Sequence, residues 1–503
     1  MKIITRRSRA KSDGKSNILC LTIDRLNPDC LGAYGATWLD SPGFNSLAAE
    51  SIVFDSYYAT SLELNELYRA FWFGESPATE RREKRSSLFA ALKAQGYRNF
   101  VVSDVEAIAL YQDVDGDELE DRLLFDASDA DAPAPSIEET AFFRQFAELA
   151  RFLSKLDDET KRGDAEPWCV WAHLSGWNER WDFPCDQRRL FQEDEDDPAP
   201  YADVAPPYWR REPTAAAKAK RRGARVESTT THENANVVRS SERARLDALD
   251  EADRRQSVVE AYAAGINVFD ETLAGFLELL KERKILDKTM LVLSGARGCP
   301  LGAPSALGVP GENDEPSPFY SEETRIPLAI RLPDMTCATM RLPALCEPRD
   351  VYETIRSWSE FAPALKSEEF WRLENVEISP FAGVWSGDKQ TEDESPKSTD
   401  DESTSRRVAP PQDEPGANLL ELLADETGSV REAVFVVARD AKSQERALVN
   451  QDWFFKRTPT PNDSELSEPT EKLELFKLPD DRYCVNDVAD RCQDEVERLN
   501  AAL

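Results

Sequence analysis

The chain has 503 residues, of which 41% are hydrophobic, enough for a large core and more than one structural unit. Its formal net charge of −33 argues against general affinity for nucleic acid or for anionic membranes. The nine cysteines show no CxxC spacing, and no apolar run reaches the roughly 20 residues of a membrane-spanning helix, so we expect a cytoplasmic protein with reduced thiols.

The first elements in chain order predict an α/β sheet. Residues 1–16 are locally basic, and we expect them to form a flexible tail. Asn17 to Ile23 is an apolar run that ends at Asp24, which is typical of a central parallel strand with a carboxylate at the sheet's carboxyl edge. Helical and extended patterns then alternate, which predicts a doubly wound sheet with helices on both faces. The predicted helices are Phe44–Glu50, Ser87–Ala94 and Leu273–Glu282, and the further strands are Ile52–Tyr58, Asn99–Val102, Trp168–Leu174 and Met290–Leu293.

Two stretches interrupt this alternation. One lies within the predicted main domain, residues 17–385, and the other follows that domain. Residues 186–256 are dense in charge, Pro and Ala, which predicts a surface insertion with one solvated helix at Glu242–Arg254. Residues 386–415 are an acidic, low-complexity segment, interpreted as a disordered linker.

The C-terminal part, residues 416–503, is predicted to be a small antiparallel sheet covered by one helix, Asp494–Leu503. Its four predicted strands are Ala433–Ala438, Arg446–Asn450, Trp453–Arg457 and Lys472–Leu478.

Several motifs, taken in order, resemble the sulfatases of the alkaline phosphatase superfamily. They include NILCLTIDRLNPDCLGAYG, SPGFNSLAAESIVFDSYYATS, LFAALKAQGYRNFVV, MLVLSGARGCPLG, SEETRIPLAIRLP, RDVYETI and KLELFKLPDDRYCVNDVA. Each motif alone is weak, but their order and spacing cover most of the chain from Asn17 onward. The resemblance implies an alkaline-phosphatase-like mixed or parallel sheet with helices on both faces.

The resemblance also locates the family's metal ligands, and most of them are replaced. In sulfatases a strand of type (V/I)(V/L)xTSDHG delivers an Asp and a His to a divalent cation, whereas this chain has Ala296 and Arg297 there. Alanine has no donor atom, and arginine is a permanent cation. Asp24 is the one retained ligand position. We therefore expect no metal or other cofactor, the alternative being Ca²⁺ or Mg²⁺ if the protein is active.

The family's nucleophile, a Cys or Ser oxidised to formylglycine, is replaced as well. Counting back from Arg69 places Asn65 at that position, and counting back from Gly74 places Leu64 there. Neither residue can become an aldehyde or attack an ester. His173 matches the first His of the family's HxxxPH region, and Asn178 falls at the second.

The interpretation that follows is a catalytically inactive sulfatase-like protein with a binding or scaffold role. The alternative is an active sulfuric- or phosphoric-ester hydrolase with a rebuilt site, using Asp104, Glu106 or Asp182. A third hypothesis is an acidic protein that binds a partner through the linker and the insertion. The sequence does not identify a partner protein or an anionic ligand.

The remaining candidate residues allow two interpretations each. Arg297 could pair with Asp24, the interpretation we favour because an isolated buried charge is costly, or could clamp an anion together with Arg69. Asp24 could instead cap the following turn. His173 is interpreted as a hydrogen-bonded core residue rather than a proton donor. The tryptophans, interpreted as core residues rather than a carbohydrate groove, are Trp168, Trp171, Trp177 and Trp181.

Overall fold

The computed structural model describes most of the chain, and the description below is confined to that part. The described ranges are 15–80, 85–127, 129–162, 166–192, 197–210, 242, 244–302, 306–310, 319–361, 408–412, 415–423, 430–439, 442–459 and 471–503. Most of the predicted basic tail and most of the predicted acidic linker therefore lie outside the described residues.

Two main sheets and one short ribbon account for the strands. They are β1 Asn17–Ile23, β2 Ile52–Tyr57, β3 Arg98–Ser103, β4 Asp121–Leu124, β5 Trp168–Leu174, β6 Tyr208–Arg210, β7 Thr289–Gly295, β8 Ala306–Gly308, β9 Leu328–Arg331, β10 Arg341–Cys346, β11 Val434–Val437, β12 Arg446–Val449, β13 Trp453–Pro459 and β14 Glu471–Lys477.

The α-helices lie on both faces of the larger sheet and at the C-terminus. They are α1 Pro42–Ala49, α2 Leu64–Phe73, α3 Leu88–Ala94, α4 Glu106–Ala109, α5 Ala141–Lys161, α6 Cys185–Arg189, α7 Glu251–Glu282, α8 Ser321–Thr324, α9 Pro348–Phe361 and α10 Gln493–Asn500.

The larger sheet has eight strands in the order β10-β2-β9-β7-β1-β5-β3-β4. All pairings are parallel except those of β9 with β2 and with β7. Strand β1 is central, in register with β5 on one side and with β7 on the other. The carboxyl ends of these three strands therefore meet at one edge, and the predicted mixed doubly wound sheet is confirmed.

Side chains of β1 alternate between two cores, as the pleat of a strand requires. Leu19, Leu21 and Ile23 face the core formed with α1, α5 and α7. Ile18 and Cys20 face the core formed with α2, α3 and α9. Every β1 residue after Asn17 is buried, which explains the continuous apolar run in the sequence.

The smaller sheet has the order β11-β12-β13-β14 and is antiparallel throughout, as predicted. One face, with Leu448 and Phe455, packs on Leu499 of α10. The other face packs on the larger unit, where Phe454 and Phe476 join Phe319, Tyr320 and Tyr58 in one cluster. The small sheet is thus held between the terminal helix and the main domain.

The prediction for residues 186–256 is wrong in part. Parts of the described segments of this stretch pack into the main core, where Leu246 and Tyr201 join the hydrophobic cluster and Arg188 is buried. A short helix at residues 244–248 is separated from α7 by Asp250, which caps α7 through the Asp253 amide. The predicted Glu242–Arg254 helix is therefore broken, and it is not simply solvated.

Candidate functional site

Three strand ends bring the candidate residues together. Asp24 follows β1, and its amide donates to the carbonyl of Leu174 at the end of β5 (3.0 Å). Ala296 follows β7, and its amide donates to the carbonyl of Ile23 (2.9 Å). These bonds extend the parallel register beyond the strands, so Asp24 and Arg297 are delivered to the same point at the carboxyl edge.

Asp24 and Arg297 form a two-point ion pair. Arg297 Nε donates to Asp24 Oδ1 at 3.0 Å, and Arg297 Nη2 donates to Asp24 Oδ2 at 2.5 Å. The Asp24 side chain is 1% exposed and that of Arg297 is 11% exposed. The ion pair that the sequence favoured is present, whereas the cap of the following turn is supplied by Asn27 and not by Asp24.

Burial and pairing act in opposite directions on the two partners. Burial alone would raise the pKa of Asp24, but the Arg297 guanidinium holds that pKa below its usual value. Burial alone would lower the pKa of Arg297, but Asp24 raises it. Both groups are therefore charged in the folded protein, and the charge of each offsets the desolvation cost of the other.

Arg25, the residue after Asp24 and not among the candidates from sequence, is part of the same site. Its backbone has φ 61°, in the left-handed region, which turns its side chain back toward the strand ends. Arg25 Nη1 donates to the Gly298 carbonyl (3.1 Å) and lies 3.7 Å from Glu323 Oε1. The oxygen of Asn178 accepts from Arg25 Nε (3.4 Å) and from Arg297 Nη2 (3.0 Å). Asn178 therefore joins the two guanidinium groups.

Three guanidinium N–H groups of this pair of arginines have no hydrogen-bond acceptor within the described residues. They are the two on Arg25 Nη2 and the second on Arg297 Nη1, whose first N–H donates to the Leu62 carbonyl (2.8 Å). Burial, opposed by Arg25, raises the pKa of Glu323 to about 7. Near neutral pH the Glu323 carboxyl group is therefore only partly ionised.

The raised pKa of Glu323 predicts a pH-dependent stability term. The folded protein holds this proton more tightly than the unfolded chain, so stability should fall as pH rises from the ordinary value of 4.5 to about 7. Glu323→Gln removes the proton-binding site, so the stability of the variant relative to the parent should rise across that window. Urea unfolding of both proteins at several pH values measures this, and parallel curves would contradict it.

His173 is buried on β5 and does not contact the ion pair through a hydrogen bond. Its ring lies edge-on to that of Tyr68, with 5.4 Å between centroids. Within the described residues neither ring nitrogen has a hydrogen-bond partner, so the prediction of a hydrogen-bonded core histidine is correct for burial and wrong for bonding. Burial, opposed by Asp24 and Asp104, lowers the pKa of His173 and favours its neutral form.

The nucleophile positions lie at the start of α2. Leu64 is half-buried and Asn65 is exposed. Arg69, one to two turns further along, is engaged locally: its guanidinium donates to Glu66 (2.6 Å) and to Glu75 (2.8 and 2.6 Å). The Arg69 guanidinium therefore has carboxylate partners on and directly after its own helix, and the two-arginine clamp with Arg297 stays a prediction.

The acidic residues suggested for a rebuilt site either have hydrogen-bond partners of their own or are exposed. Asp104 is buried and accepts from Ser175 and Gln145. Asp182 is also buried and accepts from the Ala141 amide at the start of α5, whereas Glu106 is exposed. The four tryptophans are at most 1% exposed, so they are core residues as predicted and form no open groove; they are Trp168, Trp171, Trp177 and Trp181.

The described residues contain no group of three or more His, Cys, Asp or Glu side chains placed so that they could hold a metal ion. No described helix is both long and apolar enough to cross a membrane.

Comparison with known proteins agrees with the fold. A family model described as Sulfatase matches residues 16–365. The phosphonate monoester hydrolase of Agrobacterium radiobacter is 14% identical, with 97% of this chain and 94% of that chain covered and a TM-score of 0.56. The corresponding enzyme of Silicibacter pomeroyi is 14% identical, with 97% and 94% covered and a TM-score of 0.58. A candidate sulfatase from Bacteroides fragilis is 14% identical, with 98% and 95% covered and a TM-score of 0.59. No curated protein sequence matches the chain.

Proposed function

This chain belongs to the sulfatase family, and we propose that it is a catalytically inactive member that binds a small anion through Arg25, Arg297 and Asn178. The observation that carries the proposal is the two-point contact between Arg297 and Asp24. A shared fold does not decide this question, because chemistry resides in the site.

The side chains at the strand ends do not fit a divalent cation. Such an ion takes six or more ligands, mostly oxygen, and several of them anionic. Both carboxylate oxygens of Asp24 already accept from Arg297, and a cation beside Asp24 would face that guanidinium. Ala296 offers no side-chain donor, and Asn178 offers one amide oxygen that two arginines already use.

Without a cation the family's hydrolysis loses its Lewis acid, and without a Cys or Ser at Leu64 or Asn65 it loses its covalent route. These are two independent losses. The acidic residues that could serve a rebuilt centre are bonded elsewhere or exposed, which gives the active alternative no specific support.

The binding role is supported by the guanidinium N–H groups of Arg25 and Arg297 that have no acceptor among the described residues. Sulfate and phosphate accept such N–H groups in paired geometry. Arg25 and Arg297 are nearly buried while Asn178 is half-buried, so a ligand that reaches both guanidinium groups would have to be small.

One set of measurements on protein purified without chelator tests this function. We expect no stoichiometric metal by elemental analysis and no turnover of 4-nitrophenyl sulfate, phosphate or phosphonate esters, with or without added Ca²⁺ or Mg²⁺. Metal-dependent turnover that disappears in Asp24→Asn would establish the active alternative instead.

Sulfate at matched ionic strength should bind the same protein, as measured by calorimetry. Arg25→Met should weaken binding roughly tenfold to hundredfold, since it removes a charge-assisted hydrogen bond worth about 1.5–3 kcal/mol. Arg341→Met, at an exposed arginine paired with Asp55 outside the site, is the control and should leave the affinity unchanged. Equal affinity in all three proteins would contradict the proposed anion site at Arg25, Arg297 and Asn178.

A further inference from the structure

Lys456 of β13 is an ammonium group buried between the small sheet and the main domain. Its side chain is 0% exposed, and Nζ lies 3.0 Å from Glu445 Oε1. Nζ also donates to the Phe319 carbonyl (2.5 Å), while Glu445 accepts from the Phe319 amide (3.2 Å). The Lys456–Glu445 pair thus binds the Phe319 backbone at both its carbonyl and its amide.

The ring of Tyr320 strengthens this attachment. Lys456 Nζ lies 4.0 Å from its centroid, and the Tyr320 hydroxyl donates to Glu474 of β14. A cation over an aromatic face in a desolvated position contributes about 2 kcal/mol or more. Residues 319–320 are therefore fixed to the small sheet by both backbone and side chain.

Helix α8 carries this attachment from residues 319–320 to the candidate site. It begins directly after Tyr320, whose carbonyl accepts from the Glu323 amide (3.1 Å). The Glu323 carboxyl group lies beside Arg25, and the Glu323 carbonyl accepts from the Gly298 amide (2.8 Å), one residue after Arg297. Movement of α8 would therefore displace both arginines.

A second connection reaches Arg297 from β11. Ser61 forms a bridge with Val437, and its hydroxyl donates to the Arg439 carbonyl at 2.6 Å. The next residue, Leu62, supplies the carbonyl that accepts from Arg297 Nη1. Both guanidinium groups are therefore contacted by segments whose positions depend on the small sheet.

We propose that Lys456 is a positioning residue for the anion pocket: its contacts with Phe319 and Tyr320 hold α8 where Arg25 and Arg297 are aligned for a ligand. The effect on affinity rests on the proposed anion binding, but the positioning itself does not. The C-terminal sheet is then a structural part of the site, although it contributes no side chain to the guanidinium pair.

The test replaces the pair together, Lys456→Met with Glu445→Gln, so that no charge is left unpaired. Hydrogen exchange of the Gly298 amide should become roughly tenfold faster or more while the protein remains folded. Sulfate affinity should fall by a similar factor. A purely structural role would lower global stability and leave the affinity of the folded protein unchanged.

The matched control is Lys477→Met with Asp452→Asn, in the same sheet. Lys477 also stacks over an aromatic ring, that of Trp453 (4.5 Å), and pairs with Asp452 (3.0 Å), but it is 43% exposed and does not contact residues 319–320. Gly298 exchange and sulfate affinity should stay at parental values. Equal effects of the two double variants, after correction for global stability, would overturn the proposal.

Two further outcomes remain decisive. If the parent protein binds no sulfate, the anion function fails, and the Gly298 exchange comparison still decides the positioning. If the Lys456 variant does not fold, Ser61→Ala tests the second connection: exchange at Val437, whose amide donates to the Thr60 carbonyl, should accelerate and sulfate affinity should fall. Unchanged affinity in that variant would count against the proposal.

Discussion

Replacement of Arg297 by methionine should lower the free energy of unfolding by about 3–5 kcal/mol, because it leaves the buried Asp24 carboxylate without its counter-charge. The loss should be measurable by urea denaturation near neutral pH. The double variant Asp24→Asn, Arg297→Met removes both charges and should recover most of that loss, since the desolvation cost is removed with them.

The control for this experiment is Arg341→Met. Arg341 makes a similar two-point contact with Asp55 (3.2 and 2.5 Å), but its side chain is 47% exposed. An exposed ion pair contributes about 0–1 kcal/mol, so the loss should be several-fold smaller. Similar losses for the two single variants, or no recovery in the double variant, would show that burial of Asp24 does not set the energy of its pair.

Gly298→Ala should be the second strongly destabilising change. A Cβ built on Gly298 would lie 2.0 Å from the Glu322 carbonyl oxygen and 3.1 Å from that of Arg325. Both are backbone atoms and cannot rotate away, so the segment that follows β7 and helix α8 would have to separate. We expect a loss of about 1–3 kcal/mol or more in the free energy of unfolding, together with weaker sulfate binding.

Gly275→Ala on α7 is the matched control, because a Cβ there meets nothing within 4 Å. Alanine is the better helix former, so this variant should gain about 0.5–1 kcal/mol. Opposite signs at the two glycines are expected in thermal or urea unfolding. A neutral Gly298→Ala would mean that α8 shifts freely, which would also weaken the case for Lys456 as a positioning residue.

Much of the fold could be predicted because its strands are buried on both faces. Asn17–Ile23 and the run that became β7 needed only an apolar pattern to be recognised. The middle of α7, residues 255–272, was missed although it carries the buried Tyr262 and Phe269, whereas the start of α7 lay in the predicted Glu242–Arg254 helix. Burial of Arg188 could not be predicted either, because the four carbonyls that accept from its guanidinium lie in two segments about 20 residues apart in sequence, 181–183 and 201–203.

The candidate site could also be predicted only in part. The approach of Arg297 to Asp24 followed from two parallel strand ends, which must meet at one edge. The position of the Arg25 side chain depends on a left-handed backbone conformation, which no local sequence pattern predicts. Glu323 reaches the site only because of the tertiary position of α8. Its place in the SEETRIPLAIRLP motif was the one sequence signal that could have identified it.

The pairing of Asp24 with a covalently attached guanidinium also bears on how the site could change. A bound ion can be withdrawn by EDTA or exhausted in a cell, but this positive charge is present once in every molecule whatever the supply of divalent ions. If the proposed function holds, regaining a metal site would need Arg297 lost and several ligands gained, and loss of Arg297 alone would leave the buried Asp24 carboxylate without its ion-pair partner. Selection for folding would then oppose that first step, so the substitution acts as an evolutionary ratchet.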